Sequence, residues 1–238
     1  MKRFTLIELL IVAAIFGILV SLLLPSLNKS RKRARIALCM SNQAQTMRAL
    51  TSFGVDNNKN LPPALVTGEW RTMKNKYEPM GLGYLVKQEL LDPRILYCPT
   101  WQHPVARFNV KSPDGKYGGF HTEMQDNPSK FTWVSLAYRL FPDIYSSTNP
   151  YRPLSLYKDD SNTAVISDHW TRRGNNDFGW SQGNGAFAHN KGLNYVSAYL
   201  TGTVKLKYDR NKTLIAISIK HTDHQKIENA WREHFDLK

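Results

Sequence analysis

From Phe4 to Leu24 the chain reads FTLIELLIVAAIFGILVSLLL, 21 residues with a single ionisable group. As a helix rising 1.5 Å per residue, this run is about 31 Å long, roughly the hydrocarbon thickness of a bilayer. A cleavable secretory signal has a shorter apolar core followed by small residues, and Leu22, Leu23, Leu24 and Pro25 do not supply that pattern. The core helix of a soluble protein is the bland option. A continuous apolar run directly after Met1, Lys2 and Arg3 favours a membrane helix instead. The ionisable group is Glu8, and a carboxylate at mid-bilayer costs about 2.5–3.5 kcal/mol on insertion scales. Its place near the helix start, close to the interface and the positive end of the helix dipole, softens that cost. Pro25 has no backbone N–H to donate, which predicts a kink or a local melt at the end of the run.

After Pro25 the pattern changes. Ile36, Met40, Ala44, Met47 and Leu50 recur at helical spacing, with Cys39 at the edge of the stripe, and predict a second helix half packed on a sheet. Gly54 and the polar run Asp56-Asn57-Asn58-Lys59-Asn60 end it. The run NKSRKRAR from Asn28 to Arg35 reads either as a patch facing lipid headgroups or as a solvated helix face. The whole chain has 32 Lys and Arg against 19 Asp and Glu, a formal charge of +13 that suits contact with an anionic surface without choosing among nucleic acid, lipid and acidic polysaccharide. Its 238 residues allow one or two domains, and two cysteines are too few for a disulfide-dense scaffold.

Phe4-Thr5-Leu6-Ile7-Glu8-Leu9-Leu10, the apolar stretch with Gly17, Pro25 at its end and the basic continuation resemble the class III signal and N-terminal helix of type IV pilins and type II secretion pseudopilins. The resemblance implies that a prepilin peptidase cuts between Arg3 and Phe4 and methylates the new amine of Phe4. It also implies that Glu8 meets the Phe4 amine of a neighbouring subunit, the opposite charge that a buried carboxylate needs. Arg3 stands where the family usually has Gly, whose missing side chain suits a protease subsite. An uncut chain would be a single-pass anchor with a cytosolic N-terminus. Lys2 and Arg3 precede the span while Lys29, Arg31, Lys32, Arg33 and Arg35 follow it, so a count of cations opposes the topology that the resemblance implies.

The stretch LCMSNQAQTMRALTSFGVDNNKNLPP from Leu38 to Pro63, with Cys98-Pro99 downstream, is similar to the prepilin-like families abundant in planctomycete- and lentisphaera-type bacteria. Those families end in a His-to-Asp-Gly hairpin. Here His189 opens the corresponding segment, but the turn reads Thr201-Gly202, and Tyr195–Leu200 and Thr203–Tyr208 read as strands on either side of it. If the domain is exported, Cys39 and Cys98 meet an oxidising compartment, where a bridge would contribute about 4 kcal/mol; two buried thiols acting as small hydrophobes remain the alternative.

Elsewhere the sequence predicts a short helix within Gly81–Leu91, strands within Lys130–Leu140, Asn162–Ser167 and Leu214–Ile219, and a partly helical tail. Arg107–Pro128 and Phe141–Pro153 read as long surface loops, where specific binding tends to reside. Asp168, His169 and His189 are of the right types for metal ligands or an acid and base pair. No HExxH, GxSxG or phosphate-binding glycine loop accompanies them, so surface or turn roles are expected for the histidines, with no catalytic residue, no bound metal and no cofactor. Trp70, Trp101, Trp133, Trp170, Trp180 and Trp231, together with the net charge, suit stacking and phosphate attraction, or acidic polysaccharide, unless the tryptophans are core.

The expected protein is therefore α+β and pilin-like, with long loops and a long N-terminal helix whose second half packs on an antiparallel sheet. Residues 1–3 form a cytosolic leader, 4–25 the membrane or filament-core helix, 26–54 the amphipathic half and 55–238 an exported head. The resemblance implies a structural subunit of a type IV pilus or a type II secretion filament. Its partners would be a prepilin peptidase, other pilin or pseudopilin subunits, an assembly ATPase with its membrane platform, and the lipid membrane. Its place would be the inner membrane, crossed once, with the head periplasmic or extracellular, or a surface filament. The alternative is an uncleaved tethered protein that binds DNA or acidic polysaccharide and never polymerises.

Overall fold

The structure, a computed structural model, describes residues 5–64, 69–73, 78–100, 108, 117–118, 131–139, 153–168, 194–208, 229 and 231–237. The chain divides into two compact units, Met1–Ala37 and Leu38–Lys238. Helix α1, Leu6–Asp56, begins in the first unit and ends in the second. It runs on through Pro25, so the local melt expected there is not found. One proline removes one hydrogen bond and costs about 3 kcal/mol. Melting would surrender several bonds on each side, in a stretch rich in the helix formers Leu, Lys and Arg.

In the second unit α1 buries Cys39, Gln43, Thr46, Met47, Ala49, Leu50, Phe53 and Gly54. The expected stripe is corrected here: Ile36, Met40 and Ala44 are only half-buried, and Cys39 lies on the buried face rather than at its edge. The cause is that two polar residues hold core positions with their donors satisfied. Gln43 Nε2 donates to Asp168 Oδ1 (3.2 Å) and to the Val196 carbonyl (3.0 Å), and Thr46 Oγ1 donates to the Asn42 carbonyl one turn back (2.9 Å). After Asp56 the chain leaves the helix through Asn58 and Lys59 at positive φ, and the Lys59 N–H returns to the Gly54 carbonyl at 2.7 Å.

The other elements are β1 (Glu69–Met73), α2 (Gly83–Lys87), a 3-10 turn Pro93–Leu96, β2 (Tyr117–Gly118), β3 (Phe131–Tyr138), β4 (Ala164–Asp168), β5 (Asn194–Tyr199), β6 (Val204–Tyr208) and a π-helical turn Trp231–Phe235. The strands lie in the order β1-β3-β4-β5-β6, each pair antiparallel. Strand β2 corrects two expectations: it interrupts the segment read as a loop over 107–128, and it pairs parallel to β3 in a sheet expected to be antiparallel throughout. Two residues with one Gly carry no period-two pattern by which a strand is recognised. The β5–β6 hairpin keeps its turn because Gly202 takes φ +80°, with its N–H on the Tyr199 carbonyl at 2.8 Å. The predicted strand Leu214–Ile219 lies outside the described residues.

Alternation along β3 and β5, with a register shift between Ala164 and Ile166 in β4, gives the sheet two apolar faces. Leu136, Ile166 and Ala198 join the core with Met47, Leu50 and Phe53 of α1 and with Leu82 and Leu85. Ala137, Ala164, Tyr195 and Tyr199 lie on the other side, packed with Trp231 and Phe235. Strand β4 is therefore buried at all five positions, as a strand covered on both faces must be.

Candidate functional site

In the first unit every residue from 5 to 35 is exposed, including Leu6 (81%) and Leu22 (71%). Helix α1 is long and apolar enough to cross a membrane, and by length and composition a signal sequence passes the same test. The core helix of a soluble protein does not fit, because its apolar side chains would be buried. The polar side chains within the run are satisfied locally. Thr5 and Glu8 form a capping box: the Thr5 N–H and Oγ1 each donate to Glu8 Oε2 at 2.8 Å, and the Glu8 N–H returns to Thr5 Oγ1 at 3.3 Å. Ser21 Oγ donates to the Ile18 carbonyl at 2.7 Å. Apart from one oxygen of Glu8, these side chains are met within the helix and need no water along that length. Thr-x-x-Glu is a signature visible in the sequence, and it gives Glu8 a partner within its own chain. Glu8 Oε1 has no hydrogen-bond partner among the described residues.

In the second unit, Cys39 and Cys98 form a disulfide with their Cα atoms 5.4 Å apart and a separation of 59 in the chain. Of the two alternatives left by the sequence, the bridge is the one found, joining α1 to the segment after the 3-10 turn. That segment is fixed on its other side by β3: the Cys98 N–H donates to Ser135 Oγ, which donates to the Leu96 carbonyl at 3.2 Å. Asn42 Nδ2 on α1 adds a bond to the Tyr97 carbonyl at 3.4 Å. Beside the bridge, Asp168 is fully buried and accepts from the Val196 N–H at 2.8 Å as well as from Gln43. Ligand atoms of Cys39, Cys98 and Asp168 all lie within 4.8 Å of one another. The sulfurs are bonded to each other and are not thiolate donors, and the Asp168 oxygens already serve α1 and β5. The set therefore works as a knot tying helix to sheet.

A second knot holds the end of the chain. Arg139, with no exposed surface, donates from Nη1 to Asp236 Oδ1 at 2.6 Å, and the same oxygen accepts from the Ala164 N–H at 2.8 Å. Its guanidinium lies 5.6 Å from the ring centroid of buried Trp231. Lys207 Nζ donates to the carbonyls of His234, Phe235 and Asp236, capping the π-helical turn with a cation. Tyr199 donates its hydroxyl to the Phe235 carbonyl at 2.9 Å, and burial, followed by the nearby Asp236 carboxylate, pushes its phenol above the usual range. Burial does the same to Tyr138, whose hydroxyl donates to the Pro62 carbonyl at 2.9 Å.

Sequence reasoning found Glu8, Cys39 and Cys98 but missed Gln43, Ser135, Arg139, Lys207 and Asp236. Gln43 and Ser135 are polar residues whose partners lie 37 to 153 positions away in the chain, and the last three come together only through the sheet. Trp231 is core rather than a stacking surface. Arg3, Phe4, His169, His189, Trp101, Trp170 and Trp180 lie outside the described residues, as do the side chains of Trp70 and Trp133. A cleft of about 400 Å³ beside α1, lined by Gln45, Arg48, Ser52, Leu90, Asp92 and Ile95 among others, includes none of the residues singled out in the sequence. No protein-family model matches the chain, and no match to it is found among curated proteins or solved structures.

Proposed function

We propose that the chain is a pilin-like or pseudopilin-like structural subunit that assembles through its apolar N-terminal helix and displays the second unit as a head. The observation that carries this reading is the wholly exposed helical run that begins with Thr5-x-x-Glu8 and passes, within the same helix, into a segment covalently stapled to the loop after the 3-10 turn, which β3 in turn holds by hydrogen bonds. Exposed leucines and isoleucines in such number need a cover, and lateral packing in a membrane or filament core provides one without any further sequence. Glu8 Oε2 is spent on Thr5, which leaves Oε1 to receive the Phe4 amine of a neighbour after a cut behind Arg3. The disulfide supports an exported head, since such bonds persist in oxidising compartments. Prepilin peptidase, an assembly ATPase and its membrane platform are the partners this function requires.

The test is cysteine cross-linking in membranes of cells that supply a prepilin peptidase and an assembly system. Single substitutions along the exposed run, such as Ile11→Cys and Leu19→Cys, are expected to yield cross-linked dimers and higher ladders. The additional change Glu8→Ala is expected to reduce the ladders about tenfold, the weight of a lost charge pair of about 1.4 kcal/mol. Monomers alone at every position would refute assembly through this helix.

A further inference from the structure

Directly behind the apolar run, five cations stand within seven residues: Lys29, Arg31, Lys32, Arg33 and Arg35. All five are exposed, and none has an ion-pair or hydrogen-bond partner among the described residues. No Asp or Glu occurs between Glu8 and Asp56, so the helix itself supplies no compensating charge. At 100° per residue the five cover about 200° of the helix circumference, a collar rather than a stripe, and the remaining arc is taken by Ser30 and Ala34. The charged arc is the wider one, and the uncharged arc, where Ala34 lines up with Leu27 and Leu38, is the narrower.

Position along the axis selects the partner. Counting 1.5 Å per residue from Leu24, where the apolar run ends, Lys29 stands about 8 Å and Arg35 about 17 Å beyond the apolar boundary. The headgroup layer on each side of a bilayer is about 5–8 Å deep, and Lys and Arg side chains reach several ångströms from their backbone toward it. We infer that this collar is a binding surface for the headgroups of anionic phospholipids. The inference rests on the membrane-spanning part of the proposed function. It also bears on topology: a collar held by anionic lipid is a favourable end state for five cations on the exported side, against the cation count that would keep them in the cytosol.

The test uses the full-length protein reconstituted in phosphatidylcholine vesicles containing spin-labelled phosphatidylglycerol or spin-labelled phosphatidylcholine. The readout is the ratio of motionally restricted label between the two. For the wild type at low salt, the expected preference for phosphatidylglycerol is threefold or more. It should fall to about one in a variant carrying Lys29→Gln, Arg31→Gln, Lys32→Gln, Arg33→Gln and Arg35→Gln, and fall likewise in 0.5 M salt. Retention after alkaline carbonate extraction is measured in parallel on the same vesicles. A ratio of one in carbonate-resistant wild type would overturn the collar while leaving the membrane span standing, as would a preference that survives the five substitutions. Extraction of the protein by carbonate would overturn the span and the collar together. A single-stranded oligonucleotide that binds the wild type in neutral vesicles, spares the variant and abolishes the lipid preference would reassign the collar to nucleic acid.

Discussion

Removing the Cys39–Cys98 bridge is expected to lower the melting temperature of the protein by about 8–16 °C. The bridge closes a chain segment of 59 residues, for which the chain-entropy model gives about 14 cal/mol/K of denatured-state entropy removed, or about 4 kcal/mol at 25 °C. A unit of the size of Leu38–Lys238 loses about 2–4 °C of melting temperature per kcal/mol. Both cysteines are buried, at 2% and 5% exposure, so substitution by alanine adds a packing loss to the entropic one, whereas reduction keeps the atoms in place. The assay is thermal unfolding of the full-length protein in detergent, followed by tryptophan fluorescence. It compares oxidised wild type, wild type in dithiothreitol and the double variant Cys39→Ala, Cys98→Ala. Reduced wild type should melt between the other two. A reduced protein that melts within 2 °C of the oxidised one would refute the reasoning, because it would mean that Gln43, Asn42 and Ser135 hold helix and sheet together without the covalent link.

Asp236→Ala is expected to cost about 3 kcal/mol, since it removes a carboxylate at 2.6 Å from the buried Arg139 guanidinium; adding Arg139→Leu should recover part of that loss in chemical denaturation, and a double variant no better than the single would contradict the pairing. Tyr138 and Tyr199 are both held protonated by the fold, so their stabilisation is complete below about pH 10 and is lost as pH rises from there toward the folded values. Tyr138 alone then contributes a fall of about 1.4 kcal/mol per pH unit, which melting curves between pH 9 and 11 would reveal, and Tyr138→Phe should flatten the slope. Gly83→Ala would drive a Cβ into the Thr72 carbonyl of β1, and a loss of about 3 kcal/mol in urea unfolding is expected, with no loss if α2 simply shifts away.

The elements legible in the sequence are those whose signal is local and periodic. Strands β3 and β4 announce themselves by runs of buried-type residues, and the β5–β6 hairpin by a Gly that takes the positive φ its turn needs. The buried face of α1 was legible only approximately. A search for apolar residues alone passes over Gln43 and Thr46, which are fully buried because neighbouring carbonyls and a carboxylate receive their donors. The bridge left two outcomes open, because chain spacing does not say whether two cysteines meet. The Arg139–Asp236 knot was out of reach for a related reason: 97 positions separate the partners, and the sheet must exist before they are neighbours. The Thr5–Glu8 box went unread although Thr-x-x-Glu stands in the sequence, and it gives Glu8 a helix-capping role beside the one proposed for it in assembly.

The central claim is that this helix belongs to a processed, assembling subunit, and the N-terminus tests it most directly. The protein is recovered from membranes after co-expression with a prepilin peptidase, and its intact mass and N-terminal sequence are determined for the wild type and for Arg3→Gly. The account predicts a mature chain beginning at N-methylated Phe4 in both. A wild type that still begins at Met1, with cleavage only in Arg3→Gly, would contradict it and leave a permanently anchored protein whose Glu8 has Thr5 as its partner and no neighbour's amine to meet.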